Sequence, residues 1–308
     1  MKLTTSPSAA AAMALAASSL AAAQNSTACS TGVHMLVARG SDEAPGPGRM
    51  GIIADGILEA IPGSNIESVA YPATFTEYAE SVNDGIEAMG FALTRYAERC
   101  PDSKVVLMGY SQGGQVTINT LCGGPGEDEV SVLPFDSNPP ISSALVNSSV
   151  IAVVVFGDPS FIRDAPWSEG NSTSSDGLFA RQDISACLPY APKIRSWCDE
   201  GDRYCALGDV PSVHGGYFTK YFNEAVDFVV NQFEGAAESG SPTSSAVPSA
   251  TGSATPSGTE SAAPSGTEDA AASGTDSVES PTETAGAGMF AISWGALALA
   301  GLVGLLNM

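Results

Sequence analysis

The chain predicts an α/β fold built on a doubly wound, five-stranded parallel sheet, and three observations carry that expectation. Short runs rich in Val and Ile recur between residues 33 and 234, several apolar throughout, as strands buried on both faces must be. Longer stretches with apolar residues at helical spacing separate them. The residues with reactive chemistry fall just after strands, where sheets of this class keep their functional groups.

Taken in order, HMLVA (34–38) reads as the first strand and GIIADGILEAI (51–61) as the first helix. SVAY (68–71) is a second strand, and EYAESVNDGIEAMGFALTRYAERC (77–100) a long amphipathic helix. KVVLMG (104–109) then leads into a helix over QGGQVTINTLC (112–122). IAVVVFG (151–157) and KIRSW (193–197) supply the last two strands, and GYFTKYFNEAVDFVVNQF (216–233) closes the fold as a helix.

Composition divides the 308 residues into four stretches. Residues 1–23 carry one base, Lys2, followed by an uncharged run ending in small residues, the pattern of a secretory leader cleaved near Ala23. Residues 24–234 form one domain, long enough to bury a core of its own. Residues 235–288 are almost entirely Ser, Thr, Gly, Ala, Pro and acid. They repeat SGTE, SGTE, SGTD at Ser257, Ser265 and Ser273, an acidic stalk with too little apolar surface to offset its chain entropy. Residues 289–308 are uncharged and apolar, and no Lys or Arg lies beyond Lys220 to anchor them on a cytoplasmic side. A glycosylphosphatidylinositol attachment signal, removed during anchoring, suits this tail better than a retained span. The expected location is therefore extracellular, on the cell membrane or wall.

The net charge is −22, of which −16 falls on the globular part, with 27 acidic against 11 basic side chains. Such a surface excludes nucleic acid as a partner and disfavours polyanionic substrates, leaving neutral polymers and apolar esters. Six cysteines, even in number and confined to the globular part, predict three disulfides in an exported chain, although spacing alone leaves the pairing open. Sequons at Asn25, Asn147 and Asn171 agree with export. No CxxC pair occurs and only two histidines are present, so no metal is expected. GPGRMG (46–51) matches a dinucleotide fingerprint by letter only. It begins eight residues past the strand, and no ribose-binding acid follows the second strand, so no cofactor is expected either.

GYSQGG (109–114) joins a strand to a helix and fits the G-x-S-x-G turn around Ser111. Glycines belong there because the nucleophile occupies a strained turn where a Cβ on either side would collide with backbone. Ser111 needs a base. His34 precedes it in the chain, the wrong order for a Ser–Asp–His triad on this fold, which leaves His214 in SVHGGY. Asp199, Asp202 and Asp209 compete as the acid that orients it. Asp202 lies in CDEGDRYC (198–205), a ring small enough to restrain a carboxylate if its two cysteines pair. The oxyanion hole is expected from the backbone N–H of Gln112 and a donor in ARGSDEAPGPG (38–48), with Ser41 suitably placed.

ARGSDE, YPAT, CPDSKVVLMGYSQGGQV, FGDPS, CDEGDRYC and VHGGY, in this order over residues 29–234, resemble the fungal cutinase and acetylxylan esterase family of serine esterases. The resemblance implies a small α/β-hydrolase without a large lid. It also implies Ser111 as nucleophile, Asp202 as orienting acid, His214 as base, and Ser41 with Gln112 as the oxyanion hole. It implies the pairs Cys29–Cys100 and Cys198–Cys205. The remaining pair, Cys122–Cys187, and HGGYFTKY are closer to the acetylxylan esterase side. The expected activity is deacetylation of cell-wall polysaccharide by a monomeric enzyme. Hydrolysis of aliphatic polyesters is the alternative, and a wall-anchored surface protein without catalysis a further one.

Overall fold

The computed structural model describes residues 28–124, 133 and 135–240. The leader, Asn25, the stalk beyond Gly240 and the C-terminal run lie outside the described residues. The elements in chain order are β1 (Val33–Ala38), α1 (Gly51–Ala60), β2 (Asn65–Ser68), α2 (Tyr78–Arg99), β3 (Lys104–Tyr110), α3 (Gln112–Cys122) and α4 (Ser143–Ser149). They continue with β4 (Val150–Phe156), β5 (Ser168–Gly170), β6 (Ile194–Cys198), α5 (Pro211–His214), α6 (Tyr217–Lys220) and α7 (Phe222–Gly240).

The strands form one sheet in the order β2-β1-β3-β4-β6-β5, every neighbouring pair parallel. Strand alternation divides the core into two layers. Val33, Met35 and Val37 of β1 pack with residues of α1 and α7 on one face. Leu36 and Ala38 pack with residues of α2 and α3 on the other. Both layers cover the central strands, so β1 and β4 are buried along their whole length; β4 is apolar throughout, and β1 is apolar but for His34. The chain leaves β1 for β2 on one side and returns to place β3 on the other. The chain therefore leaves β1 and β3 in opposite directions, a switch point of the kind at which sheets of this class carry their functional groups.

Three expectations need correction. The sheet has six strands rather than five, the addition being β5, a three-residue edge strand with the sequence SEG. Its parallel pairing with β6 requires no apolar side chain, so hydropathy leaves no trace of it. The second strand is Asn65–Ser68 rather than 68–71. As an edge strand β2 is only partly buried and carries Asn and Glu. The apolar Val69 and Tyr71 instead cover the core as the chain leaves the sheet, Val69 N–H still bonding to Val37 C=O at 2.9 Å. The closing helix starts at Phe222, after the separate short helices α5 and α6, and runs to Gly240, past the expected domain limit at Glu234. Ala236 packs against the core there, so the first residues assigned to the stalk finish the helix.

Disulfides join Cys29 to Cys100, Cys122 to Cys187 and Cys198 to Cys205. The first two span 71 and 65 residues of chain, the third only seven. Cross-link stabilisation grows with loop length, so replacing Cys29 and Cys100 by Ala should cost about 4 kcal/mol, and Cys198 with Cys205 about 2.5 kcal/mol. Urea denaturation of the two double variants measures the order, and the reverse order would contradict this account.

Candidate active site

Ser111 sits between β3 and α3 with φ 54° and ψ −123°, a backbone conformation that L-residues avoid. The flanking glycines explain how the chain enters it. A Cβ on Gly109 would lie 2.1 Å from the Gly113 carbonyl oxygen, and one on Gly113 would lie 2.1 Å from that of Ala38. These approaches bring α3 against the ends of β1 and β3. The Ser111 N–H is tied to Phe156 C=O at 2.9 Å, and its own C=O accepts from Gly114 N–H at 2.8 Å.

Ser111 Oγ lies 2.9 Å from His214 Nε2, and His214 Nδ1 lies 2.8 Å from Asp202 Oδ2. Asp202 has no exposure, yet each oxygen is satisfied. Tyr217 OH donates to Oδ2 at 2.6 Å, and the N–H groups of Tyr204 and Cys205 donate to Oδ1 at 2.8 and 3.2 Å. Burial pushes the Asp202 carboxyl up, but the hydrogen bonds from His214, Tyr217 and Tyr204 outweigh it and hold the group below the ordinary aspartate value. Asp202 is therefore ionised at neutral pH and accepts the Nδ1 proton, which turns the Nε2 lone pair toward Ser111. Asp199 is engaged elsewhere, by Lys220 Nζ at 2.7 Å and Tyr221 OH at 2.6 Å, and Asp209 is exposed. Of the three acids the sequence left in competition, only Asp202 touches the imidazole.

His214 is held from every side. Its carbonyl accepts from Tyr110 OH at 3.0 Å, and the Tyr204 ring lies 4.5 Å from the imidazole. Gly157, at φ 60°, makes room for it, because a Cβ there would be 2.8 Å from His214 Cε1. His34 lies remote from this group, stacked on Tyr96 at 3.6 Å with Nδ1 on Asn65 Oδ1 at 2.5 Å.

As the first residue of α3, Gln112 has no intrahelical acceptor for its N–H, and its buried side chain bonds to Ser81 Oγ and Thr74 C=O at 2.9 Å each. Ser41 lies in the loop after β1, which other residues brace. Gly40 N–H donates to Glu43 Oε2 at 2.7 Å, and Asp42 N–H to Ala73 C=O at 2.6 Å. Among the described residues neither the N–H nor the hydroxyl of Ser41 has a hydrogen-bond partner. Gly40 packs against the Tyr110 ring, which brings this loop beside the turn carrying Ser111. Asn147 on α4 and Asn171 after β5 are exposed. Among the described residues no group of three His, Cys, Asp or Glu could hold a metal ion.

The profile of the cutinase family matches residues 28–233. The chain belongs to the cutinase family. It is 34% identical over 230 residues to an acetylxylan esterase of Hypocrea jecorina, covering 71% of this chain and 74% of that one. It is 33% identical over 220 residues to Cutinase 11 of Verticillium dahliae, covering 69% and 72%. Among solved structures, the catalytic core of the Trichoderma reesei acetyl xylan esterase superposes with a TM-score of 0.61 at 34% identity, over 67% of this chain and all of that one. The protein is accordingly a serine carboxylic ester hydrolase, which sets aside the surface protein without catalysis.

Sequence reasoning missed Tyr217 and Tyr110, whose roles depend on where their hydroxyls end up. It also gave no role to Asp158 in FGDPS, which follows Gly157. Asp158 is buried and accepts from Ser160 N–H at 2.7 Å and from Ser160 Oγ at 2.8 Å. Burial raises its carboxyl to about 6 against the pull of Ser160 and Arg181. At this site the folded state thus binds more of a proton than the unfolded chain between pH 4 and 6, and the contribution of Asp158 to stability should fall as pH rises through that window. Asp158→Asn should flatten the slope in urea denaturation at pH 4, 5, 6 and 7. An unchanged slope would place its origin elsewhere.

Proposed function

We propose that Ser111, His214 and Asp202 act together as nucleophile, base and orienting acid in hydrolysis of acetyl esters on cell-wall polysaccharide. The observation that carries this reading is the continuous hydrogen-bonded line from a strained, partly exposed serine through imidazole to a buried, ionised carboxylate.

His214 Nε2 takes the Ser111 proton as Oγ attacks the ester carbonyl. The developing oxyanion is met by the Gln112 N–H and by Ser41, with the α3 N-terminus adding a favourable dipole. The alcohol leaves with the proton from His214, and an acyl-enzyme remains. Water then attacks, again giving its proton to Nε2, and the acid is released as Ser111 recovers its proton. Asp202 stabilises the imidazolium formed in each half-reaction. Its three other hydrogen bonds keep it in place without a proton of its own.

Support for an acetyl substrate comes from the acetylxylan esterases to which this chain is similar, and from the Cys122–Cys187 pair. A second reading, hydrolysis of longer aliphatic esters, is favoured by apolar surface beside the site. Exposed Phe75 packs edge-on to the Tyr204 ring at 6.5 Å, and exposed Leu178 bonds through its N–H to Tyr204 C=O at 2.8 Å. In both readings the chain is exported and carried on the acidic stalk. The tail at 289–308 supports attachment through a lipid anchor. Among the described residues no helix is long and apolar enough to cross a membrane.

Ser111→Ala should lower kcat on a nitrophenyl ester by about 10⁴-fold or more with the melting temperature unchanged. Retained turnover would remove Ser111 from the reaction. Rates across nitrophenyl esters from acetate to hexadecanoate, with acetylated xylan in parallel, test the substrate. A maximum at acetate with acetate released from xylan is expected, and a maximum at butyrate or longer with xylan untouched transfers the assignment to polyesters.

A further inference from the structure

A cleft of about 390 Å³ lies along β5, β6 and α7, and it shares no residue with the Ser111–His214–Asp202 group. Its wall includes the rings of Trp197, Tyr221 and Phe228, the first two 6.0 Å apart and tilted by 35°. Arg195 spans it, stacked 4.7 Å over Phe228 and bonded through Nε to Glu169 Oε1 at 3.1 Å, and Glu224 stands exposed at its edge. Trp197, 4% exposed, closes the floor of the cleft and Arg195 covers the Phe228 ring. What lies open is the part-buried Tyr221, the carboxylates of Glu169 and Glu224 and the Arg195 guanidinium, polar groups suited to the hydroxyls of a sugar.

Asn171, the head of the sequon Asn171-Ser172-Thr173, forms part of the same wall. Its side-chain Oδ1 accepts from Glu200 N–H at 2.8 Å, which fixes the amide plane, while Nδ2 has no partner among the described residues. Its backbone N–H donates to Asp199 Oδ1 at 3.1 Å, the oxygen that also accepts from Tyr221 OH at 2.6 Å. One carboxylate therefore ties the sequon to the aromatic wall, three residues before Asp202.

We propose that Asn171 carries an N-linked glycan whose first sugars seat in this cleft and brace the loop at 198–205. The inference rests on the reading that the chain is exported, not on its esterase activity. In the transfer, Nδ2 bonds to the anomeric carbon of an N-acetylglucosamine, and the pyrophosphate of the lipid-linked donor leaves with the bonding electron pair. Nδ2 gives up one proton and keeps the other, and Oδ1 is untouched, so the bond to Glu200 N–H survives. Once attached, the sugar needs no affinity of its own to find the cleft, because the tether sets its effective concentration. A free polysaccharide has no such advantage.

The full chain secreted from a eukaryotic host tests this, beside Thr173→Ala, which removes the sequon at an exposed position. Peptide mass spectrometry should find a glycan on Asn171 of the parent. Amide hydrogen exchange over 168–172 and 198–205 should be at least fivefold faster in the variant. The same two proteins from a host without N-glycosylation should exchange alike. An unmodified Asn171, equal exchange in the secreted pair, or an equal difference in the unglycosylated pair each overturns the proposal. Turnover of a nitrophenyl acetate by the same samples reports separately on the esterase reading.

Discussion

Gly109 and Gly113 allow α3 to lie against the ends of β1 and β3 with backbone in van der Waals contact, and the rest of the site depends on that approach. A methyl group at either position would meet a carbonyl oxygen at 2.1 Å, and no rotamer change relieves a clash with backbone. Because the helix starts so close to the sheet, the connecting residue must turn within one step, which forces Ser111 to φ 54°. The same turn leaves the Gln112 N–H without a helical acceptor beside the serine. Strain and an unsatisfied donor, both unfavourable for folding alone, thus fall together where an ester carbonyl would bind.

The acid behind the imidazole poses the opposite problem. A fully buried carboxylate is costly unless nearly every lone pair is engaged. Asp202 meets that condition with His214, Tyr217 and two backbone N–H groups, drawn from a loop closed by Cys198–Cys205 and from two helices beyond it. Asp199, three residues earlier, anchors the outer side of the loop through Asn171, Lys220 and Tyr221. One aspartate faces the imidazole and its neighbour holds the loop to the end of β5 and to α6. Side-chain type cannot distinguish the two.

The central strands were legible because burial on both faces demands largely apolar sequence, which β1, β3 and β4 carry, while β6 (IRSWC) lies where expected although Arg195 and Ser196 interrupt the pattern. The edges were not. β2 and β5 are defined by backbone pairing to one neighbour, and their side chains are Asn, Glu, Ser and Gly as readily as Ile. The C-terminal helix misled for a related reason: apolar spacing from 216 onward is continuous, but tertiary bonds from Tyr217 and Tyr221 to two aspartates accompany a chain that breaks at Tyr221.

The sequence by itself determined the layer architecture, the strained serine turn and the lone histidine positioned to serve it, since each is a local or periodic demand that few residue types satisfy. It narrowed the acid to three loop aspartates within eleven residues and favoured Asp202 among them for its place in the ring between Cys198 and Cys205. Only the tertiary structure decided which carboxylate faces the imidazole, which tyrosine hydroxyl completes it, and that a sequon and an aromatic cleft share one wall. Those outcomes depend on where elements far apart in the chain come to rest, and pairing across such distances leaves no periodic mark in the sequence.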